Sequence, residues 1–317
     1  MHGYVKLEGW KVGRIQTALT RQSKEICAIL STIVVIEHMK CYFQKPDMDT
    51  VLTALILGWQ ERDGAIHVPD KAPPYALKDP LVYCIECGGA GETHLGNFDH
   101  HDTNVSLPAA CIQACVFRHC SDPRLLDLAG YVDLVDTGGQ MPARKMSGHS
   151  LSGVYSGMRQ IVDGAVAQFT AGVAIFRTVL KYQIDPWQVM PCLPEWATYM
   201  EAKERHRLYL FDYENSIIQF TTKAGLTGGF LSCPLPGAHG FLRKMGCRIT
   251  IASGLRQSGG NMCTIAGERG SMDGLLAALN LMEPGWGGPA GGGIIGSPRI
   301  GSALKPDILI DVVKEVM

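Results

Sequence analysis

No apolar stretch of the chain reaches the ~18–20 residues that a membrane-spanning helix needs. An excess of one charge is missing too: 29 Lys and Arg face 30 Asp and Glu, a formal net charge of −1. That balance excludes a surface built mainly to wrap long nucleic acid or to lie on a membrane, and leaves room for a local basic patch. Charged residues are few overall, 19 % against a usual ~25 %. The eleven cysteines have no regular spacing and an odd count. They argue against a disulfide scaffold and for reduced thiols in the cytoplasm. Cys84 and Cys87 form a CxxC with no second pair nearby, which argues against zinc. There is no internal repeat and no long low-complexity tract.

What is present sets the scale. With 317 residues and ~100–200 residues per domain, the length points to two domains, with one large domain as the fallback. Hydrophobic side chains are 46 %, enough to bury a sizeable core. Glycine is enriched, 37 residues or about 12 % against a usual ~7 %, and much of the excess falls in one late cluster. At the start, Lys6, Lys11, Arg14, Arg21 and Lys24 lead into the apolar stretch Ile26–Ile36. This imitates a signal peptide, but Glu37 and His38 close it and no small-x-small cleavage site follows. Two readings stay open: residues 1–38 are an extension without fixed structure ahead of a start at Met39, or Ile26–Ile36 is a buried helix or strand.

From Met39 onward, strand patterns alternate with helix patterns. Lys40–Gln44 and Leu81–Ile85 read as buried strands, and Thr50–Gln60 as a helix capped by Asp49 or Thr50. Ala109–His119 and Leu125–Val135 read as helices, the second ending at Asp136. The alternation predicts a parallel α/β sheet. Residues 150–215 are largely helical in pattern, broken by Pro186, Pro191 and Pro194. Beyond them Ile217–Thr221, Cys247–Ala252 and Asn261–Ile265 read as strands, and Met272–Met282 and Pro306–Val316 as helices.

Three acidic clusters sit where a strand or helix runs out into a loop, and ligand sites of open α/β sheets form at the carboxyl ends of strands. Asp47-Met48-Asp49 offers two carboxylates to one cation. Asp99-His100-His101-Asp102 supplies two carboxylates and two imidazoles, a set that suits transition metals and magnesium. Asp136-Thr137-Gly138-Gly139 offers a further ligand, with Asp133 the poorer candidate on a helix surface.

In this order, Pro46-Asp47-Met48-Asp49, Asp99-His100-His101-Asp102-Thr103-Asn104 and Asp136-Thr137-Gly138-Gly139 resemble the motifs of the DHH phosphoesterase superfamily. That group includes RecJ-type exonucleases, oligoribonucleases, exopolyphosphatases and family II inorganic pyrophosphatases. The resemblance covers residues 39–317 in outline, and the DHH triplet with its following Asn is the most specific part. It implies an α/β fold in two parts: a parallel-sheet DHH domain and linker over 39–190, and a smaller α/β DHHA1-like domain over 191–317. The active site is expected in the cleft between them. It also implies a manganese centre of one or two ions, with magnesium or cobalt as substitutes, that activates a water to attack phosphorus. Carried over residue by residue, Asp47, Asp49, Asp99, His100 and Asp136 are the implied metal ligands. His101 contacts the scissile phosphate and, with Asp99, makes the implied catalytic pair.

Two positions depart from the family pattern. Its first motif opens with a His four residues before the first Asp. That residue is Phe43 here, expected to lie beside the Asp47 and Asp49 carboxylates and to weaken metal retention. The acid nearest the second motif's bridging Asp is Glu86. Late in the chain, successive glycines over Gly285–Arg299 can let backbone N–H groups converge on an anion. Gly287, Gly288, Gly291 and Gly292 are the candidates, with Arg269 and Arg299 as bidentate phosphate contacts. The stretch resembles the Gly-Gly-His loop of DHHA1 domains, with Pro289 where the His falls.

The implied function is hydrolysis of a small phosphorylated substrate: a short oligonucleotide, a nucleotide phosphate or polyphosphate. Short single-stranded nucleic acid is the expected macromolecular partner, no membrane is expected, and a homodimer is compatible. The alternative is a non-catalytic DHH-like protein that binds a nucleotide or a partner through a degraded metal site.

Overall fold

The computed structural model describes residues 39–101, 103, 105, 107–136, 149–255, 261–268, 272–288 and 292–317. The expectations for residues 1–38, Asp102, Asn104, Thr137, Gly138, Gly139, Arg269 and Gly291 lie outside the described residues.

β1 (Lys40–Phe43) is short, and its last three side chains are buried. It pairs in parallel with β2 (Gly64–His67) on one side and β3 (Val82–Ile85) on the other, and β3 pairs in parallel with β4 (Asn97–Phe98). The strand order is β2-β1-β3-β4. Register decides the function of this sheet. Phe43 stands opposite Ile85 and His67, and Ile85 opposite Phe98. All four strands therefore end level, and Asp47, Glu86 and Asp99 follow their ends along one edge.

Five helices belong to this unit, α1 (Met48–Leu57), α2 (Ala110–Phe117), α3 (Pro123–Asp136), α4 (Leu151–Ile161) and α5 (Ala165–Lys181); α1, α2 and α5 pack on the sheet, and α3 and α4 pack on the other helices. A sixth, α6 (Ala197–Phe211), packs on α4. The first core joins Phe43, Leu52, Ile85, Phe98, Leu128, Phe169, Phe176 and Trp196, all fully buried or nearly so, and reaches Met200. Burial of each such side chain contributes ~1.5–3 kcal/mol. α1 starts two residues before the sequence pattern suggested. Asp47 is its N-cap, accepting the Thr50 amide at 3.1 Å, and Gly58 stops it with φ 96°. The cap forms early because Asp47 already has extended backbone where β1 ends, and an Asp in that conformation is a strong cap. At Gly157 on α4 a Cβ would lie 1.9 Å from the Tyr199 carbonyl oxygen. Only glycine allows α4 and α6 to approach so closely.

The second sheet follows chain order, β5 (Ile218–Thr221), β6 (Thr227–Ser232), β7 (Ile249–Leu255), β8 (Asn261–Ala266) and β9 (Ile294–Gly296). Only the β6–β7 pair is parallel, and α7 (Ala238–Lys244) lies in its crossover. α8 (Asp273–Met282) and α9 (Pro306–Val316) pack on a separate core built from Phe230, Ile251, Ile265, Leu275, Leu279 and Val313. β6 escaped the sequence reading because Gly228-Gly229 looks like a turn. In the fold the Phe220 ring of β5 lies where a Cβ of Gly228 would be. No helix of the described residues is long and apolar enough to cross a membrane. The ten described cysteines are all free thiols.

Phe43 belongs to the first core. Its ring is fully buried, stacked on Phe169 at 4.6 Å and tilted on His67 at 5.6 Å. Replacing it with the histidine of the family pattern removes apolar contacts and buries a polar nitrogen. A Phe→Ala change at such a site costs ~3–5 kcal/mol, and Phe43→His is expected to cost a few kcal/mol of the same kind. Urea unfolding of the variant should show a lower midpoint at an unchanged slope. An unchanged midpoint would mean that ring packing at residue 43 is dispensable.

Candidate metal centre and cleft

Each member of the centre is placed by the end of an element. Asp49 lies in the first turn of α1 and is buried. The first two amides of α2 point at it: Ala110 N–H donates to Asp49 Oδ2 and Cys111 N–H to Oδ1, both at 2.7 Å. A helix N-terminus favours an anion, and each carboxylate oxygen keeps a lone pair free. Glu86 follows β3 with a left-handed φ of 51°. Such backbone is uncommon for a residue with a side chain and marks a position held by its surroundings. Here the Glu86 amide donates to the Phe98 carbonyl at 2.8 Å, and the Thr50 hydroxyl donates to the Glu86 carboxylate in a short hydrogen bond. His100 follows β4, and Asp136 is the last residue of α3.

One ligand atom from each of Asp49, Glu86, His100 and Asp136 lies within 4.8 Å of every other. His100 Nε2 is 3.2 Å from Asp136 Oδ2, 3.4 Å from Glu86 Oε1 and 4.0 Å from Asp49 Oδ2. Metal–ligand contacts of ~2.0–2.2 Å put neighbouring ligands about 3 Å apart and opposite ones about 4 Å apart. The His100 Nε2 atom is itself buried and makes no well-formed hydrogen bond among the described residues. An orphaned imidazole nitrogen ringed by three carboxylates is a donor set for a divalent cation. A second group, Glu86, His100 and His101, shares two of these residues.

Asp47 and Asp99 stand beside the centre. Asp47 caps α1, its carboxyl abuts Glu86, and burial with the Glu86 charge pushes it well above the ordinary carboxylate range. Asp99 faces backbone: its Oδ2 accepts the Gly88 amide at 2.7 Å and its Oδ1 the His101 amide at 2.8 Å. Burial raises Asp99, but these bonds and the His101 ring outweigh it and hold the carboxyl low. His101 Nδ1 lies 3.2 Å from Asp99 Oδ1, and its side chain is 58 % exposed. Asp99 is thereby placed to orient His101, and the four converging ligand atoms come from Asp49, Glu86, His100 and Asp136. The signal for Glu86 was its position one residue past an apolar strand. Asp133, the poorer candidate, accepts the Ala109 amide at 3.0 Å.

The centre opens into a cleft of about 460 Å³ lined by Asp47, Asp49, Asp136, Tyr155, Arg159 and Pro236, with Ser152 and Ser156 on the same wall as Tyr155. The α4 residues here were not anticipated. Their signal was a stripe at helical spacing, Ser152, Tyr155, Ser156 and Arg159. The Tyr155 hydroxyl lies 2.8 Å from the Pro46 carbonyl and 3.0 Å from that of Asp47, so it braces the loop carrying the first acids. Gly287, Gly288, Gly292, Arg299 and Phe43 do not line this cleft. Gly287 instead pairs with Gly296 and extends the second sheet at β9.

No protein-family profile matches the chain, and no curated relative does. Similar folds occur among solved structures. The pGpG-specific phosphodiesterase PggH from Vibrio cholerae superposes with a TM-score of 0.53 at 13 % identity, over 82 % of this chain and 93 % of that one. The DHH domain of a protein assigned to a family of ribosomal proteins aligns at 13 % identity and TM-score 0.45, over 87 % and 85 %. RecJ from Thermus thermophilus in complex with Mn2+ aligns at 13 % identity and TM-score 0.47, over 92 % of this chain and 53 % of that one. The chain shares the fold of the pGpG-specific phosphodiesterase: an α/β architecture with an all-parallel first sheet and a mixed second sheet.

The electrostatics give a test of the centre. The Asp136 and Glu86 carboxylates beside its ring push His100 up to about 10, so without metal it is protonated at neutral pH. Burial and the Glu86 charge push Asp49 up to about 7. A cation must displace these protons, so its affinity falls as pH drops. The sign for folding is separate: the His100 contribution is full below its unfolded value near 6.5 and is lost as pH rises through about 10. Manganese titration in two buffers of different ionisation enthalpy should report release of at least one proton. The apparent Kd should weaken about tenfold per pH unit for each proton displaced between pH 8 and 6. A pH-independent Kd would remove His100 and Asp49 from the coordination.

Proposed function

We propose that the protein is a metal-dependent phosphoesterase acting on a small phosphorylated substrate, with manganese as the metal. The observation that carries this reading is the convergence of Asp49, Glu86, His100 and Asp136 around an orphaned imidazole nitrogen at the mouth of a cleft. A divalent metal bound there supplies Lewis-acid polarisation of the phosphoryl group and a lowered pKa for a water. The protein's part is orientation and proton handling. Asp49, Glu86, His100 and Asp136 hold the ion, with Glu86, His100 and His101 the natural edge for a second. The exposed His101 ring, set by Asp99 at Nδ1, presents Nε2 to the scissile phosphate or the leaving oxygen. The raised pKa that the Asp99 contact gives His101 keeps that proton available for donation. The two cores suggest the division into domains: the DHH-like unit takes the parallel sheet with α1–α5, and the DHHA1-like unit takes β5–β9. The likeness to PggH, a phosphodiesterase specific for pGpG, is consistent with a short nucleotide substrate.

A binding protein without turnover is the second reading. It is favoured by Phe43, which gives the core a ring where the family pattern gives the metal a ligand. Purified protein, stripped with EDTA and reloaded with manganese, separates the two. On bis(p-nitrophenyl) phosphate the first reading expects metal-dependent release. Asp49→Asn should lose it nearly entirely, and His101→Ala should lower kcat by about 10²–10⁴ with affinity for the first metal kept, as for a general acid. Manganese binding without any turnover on phosphodiesters, monoesters or polyphosphate would favour the binding protein.

A further inference from the structure

Among the three carboxylates of the centre, Glu86 alone has a methylene to spare, and a longer side chain with a soft terminal torsion has more ways to point. It is nevertheless held at both ends. Its amide donates to the Phe98 carbonyl at 2.8 Å, and one carboxylate oxygen, Oε2, accepts the Thr50 hydroxyl. The other oxygen, Oε1, faces the imidazoles, 3.4 Å from His100 Nε2 and 3.8 Å from His101 Nδ1. The two oxygens are divided between two tasks: Oε2 turns back to α1, and Oε1 turns to the centre.

The surroundings of Thr50 make that division firm. Thr50 is fully buried, and a buried hydroxyl needs a partner within the protein. Its amide donates to Asp47 Oδ1 at 3.1 Å as part of the α1 cap. The backbone that carries the hydroxyl is therefore fixed by the same turn that carries Asp47 and Asp49. Asp49 is also held from behind, since each of its oxygens accepts an amide at the start of α2. Two of the three carboxylates around His100 Nε2 thus have their orientation set before any ion arrives.

Orientation decides which ion fits. Calcium takes six to eight oxygens at ~2.3–2.6 Å in a flexible shell and often binds a carboxylate through both oxygens. A smaller divalent ion is satisfied by fewer, closer ligands, and an imidazole nitrogen among them suits a transition metal.

We propose that Thr50 is a positioning residue that confines Glu86 to coordination through one oxygen, and so sets a preference of the centre for manganese over calcium. This rests on the metal centre of the phosphoesterase reading and deepens it. Without the hydroxyl, Oε2 loses its partner, and the carboxylate is free to turn both oxygens on a larger ion.

The test titrates metal-stripped protein calorimetrically with manganese and with calcium at one pH, and follows the ratio of the two Kd values. Thr50→Val keeps the shape of the side chain and loses the donor. It should weaken manganese binding about 10–100-fold, the range for partners that orient a ligand. Calcium should weaken less or bind more tightly, so the preference for manganese should fall at least about tenfold. Thr50→Ser keeps a hydroxyl and should keep the wild-type ratio. In a Glu86→Asp background the shorter side chain draws the carboxylate away from Thr50, and adding Thr50→Val should leave the ratio unchanged. A merely structural role would lower the thermal midpoint and weaken both ions alike. An unchanged ratio in Thr50→Val overturns the proposal, as does a Thr50→Ser ratio equal to that of Thr50→Val, or an equal Thr50→Val effect in the Glu86→Asp background. If Thr50→Val does not fold, Thr50→Ser against Thr50→Ala decides by the same ratio. Manganese binding with an unchanged ratio removes only the role of Thr50. No manganese binding by wild-type protein removes the centre, and the metal-dependent phosphoesterase reading with it.

Discussion

Asp47, Asp49, Glu86 and Asp136 crowd one corner of the molecule, and acids so placed repel one another unless positive charge lies among them. The structure meets that requirement three ways. Two amides at the start of α2 grip Asp49. Burial and the Glu86 charge raise Asp47 and Asp49, which favours a proton among the acids. The His100 ring sits in the middle and takes a charge of its own. Asp136 shows the constraint most directly. It is the last residue of α3, at the helix end where a carboxylate is disfavoured by ~0.3–1 kcal/mol. A cation at the centre reverses that sign. The corner is an arrangement that a divalent ion would complete.

The rest of the first unit follows from holding this corner still. Parallel strands that end level deliver Asp47, Glu86 and His100 from three separate turns to one edge. A shift by one residue in any strand would turn its side chains to the other face. Glu86 is one methylene longer than the aspartate of the family pattern, and its backbone adopts φ 51°. Such backbone costs of order 1–3 kcal/mol and persists only where the surroundings enforce it. The Thr50 hydroxyl and the Phe98 carbonyl do so here, which ties the second acid to both the first helix and the fourth strand.

Legibility in the sequence tracked how local each signal was. The Asp-x-Asp pair and the Asp-His-His triplet could be read because their members are adjacent and follow apolar strands. Asp136 could be read because an apolar helix runs directly into it. Glu86 was ambiguous, since its role depends on where β3 stops. Asp99 reads as a ligand by its place in the triplet; in the fold its oxygens accept the Gly88 and His101 amides, and no pattern announces which backbone amides will arrive. β2 and β6 were not foreseen: the first is a short edge strand without alternation, and the second carries two glycines that signal a turn. The glycine-rich stretch looked like an anion cradle, but among its described residues Gly287 extends the second sheet at β9. Glycine density reports backbone freedom, and that freedom serves strand pairing as readily as ligand binding.

The cleft wall could not be read at all from motifs, and the reason bears on how such a fold changes substrate. The acids are fixed by strand register, so few positions can move without losing the centre. α4 is under a looser rule: one face must fill the core, and the other is free to vary. Yet it is not independent of the chemistry. Tyr155 projects from the same helix and lies within hydrogen-bond distance of the Pro46 and Asp47 carbonyls, while Gly172 on α5 leaves room for its ring, since a Cβ there would come within 2.7 Å of the phenol oxygen. A rigid helix thus carries both the brace for the first acids and, one turn further on, Arg159. Whatever seats against that face is held at a fixed offset from the centre, because brace and cation share one backbone.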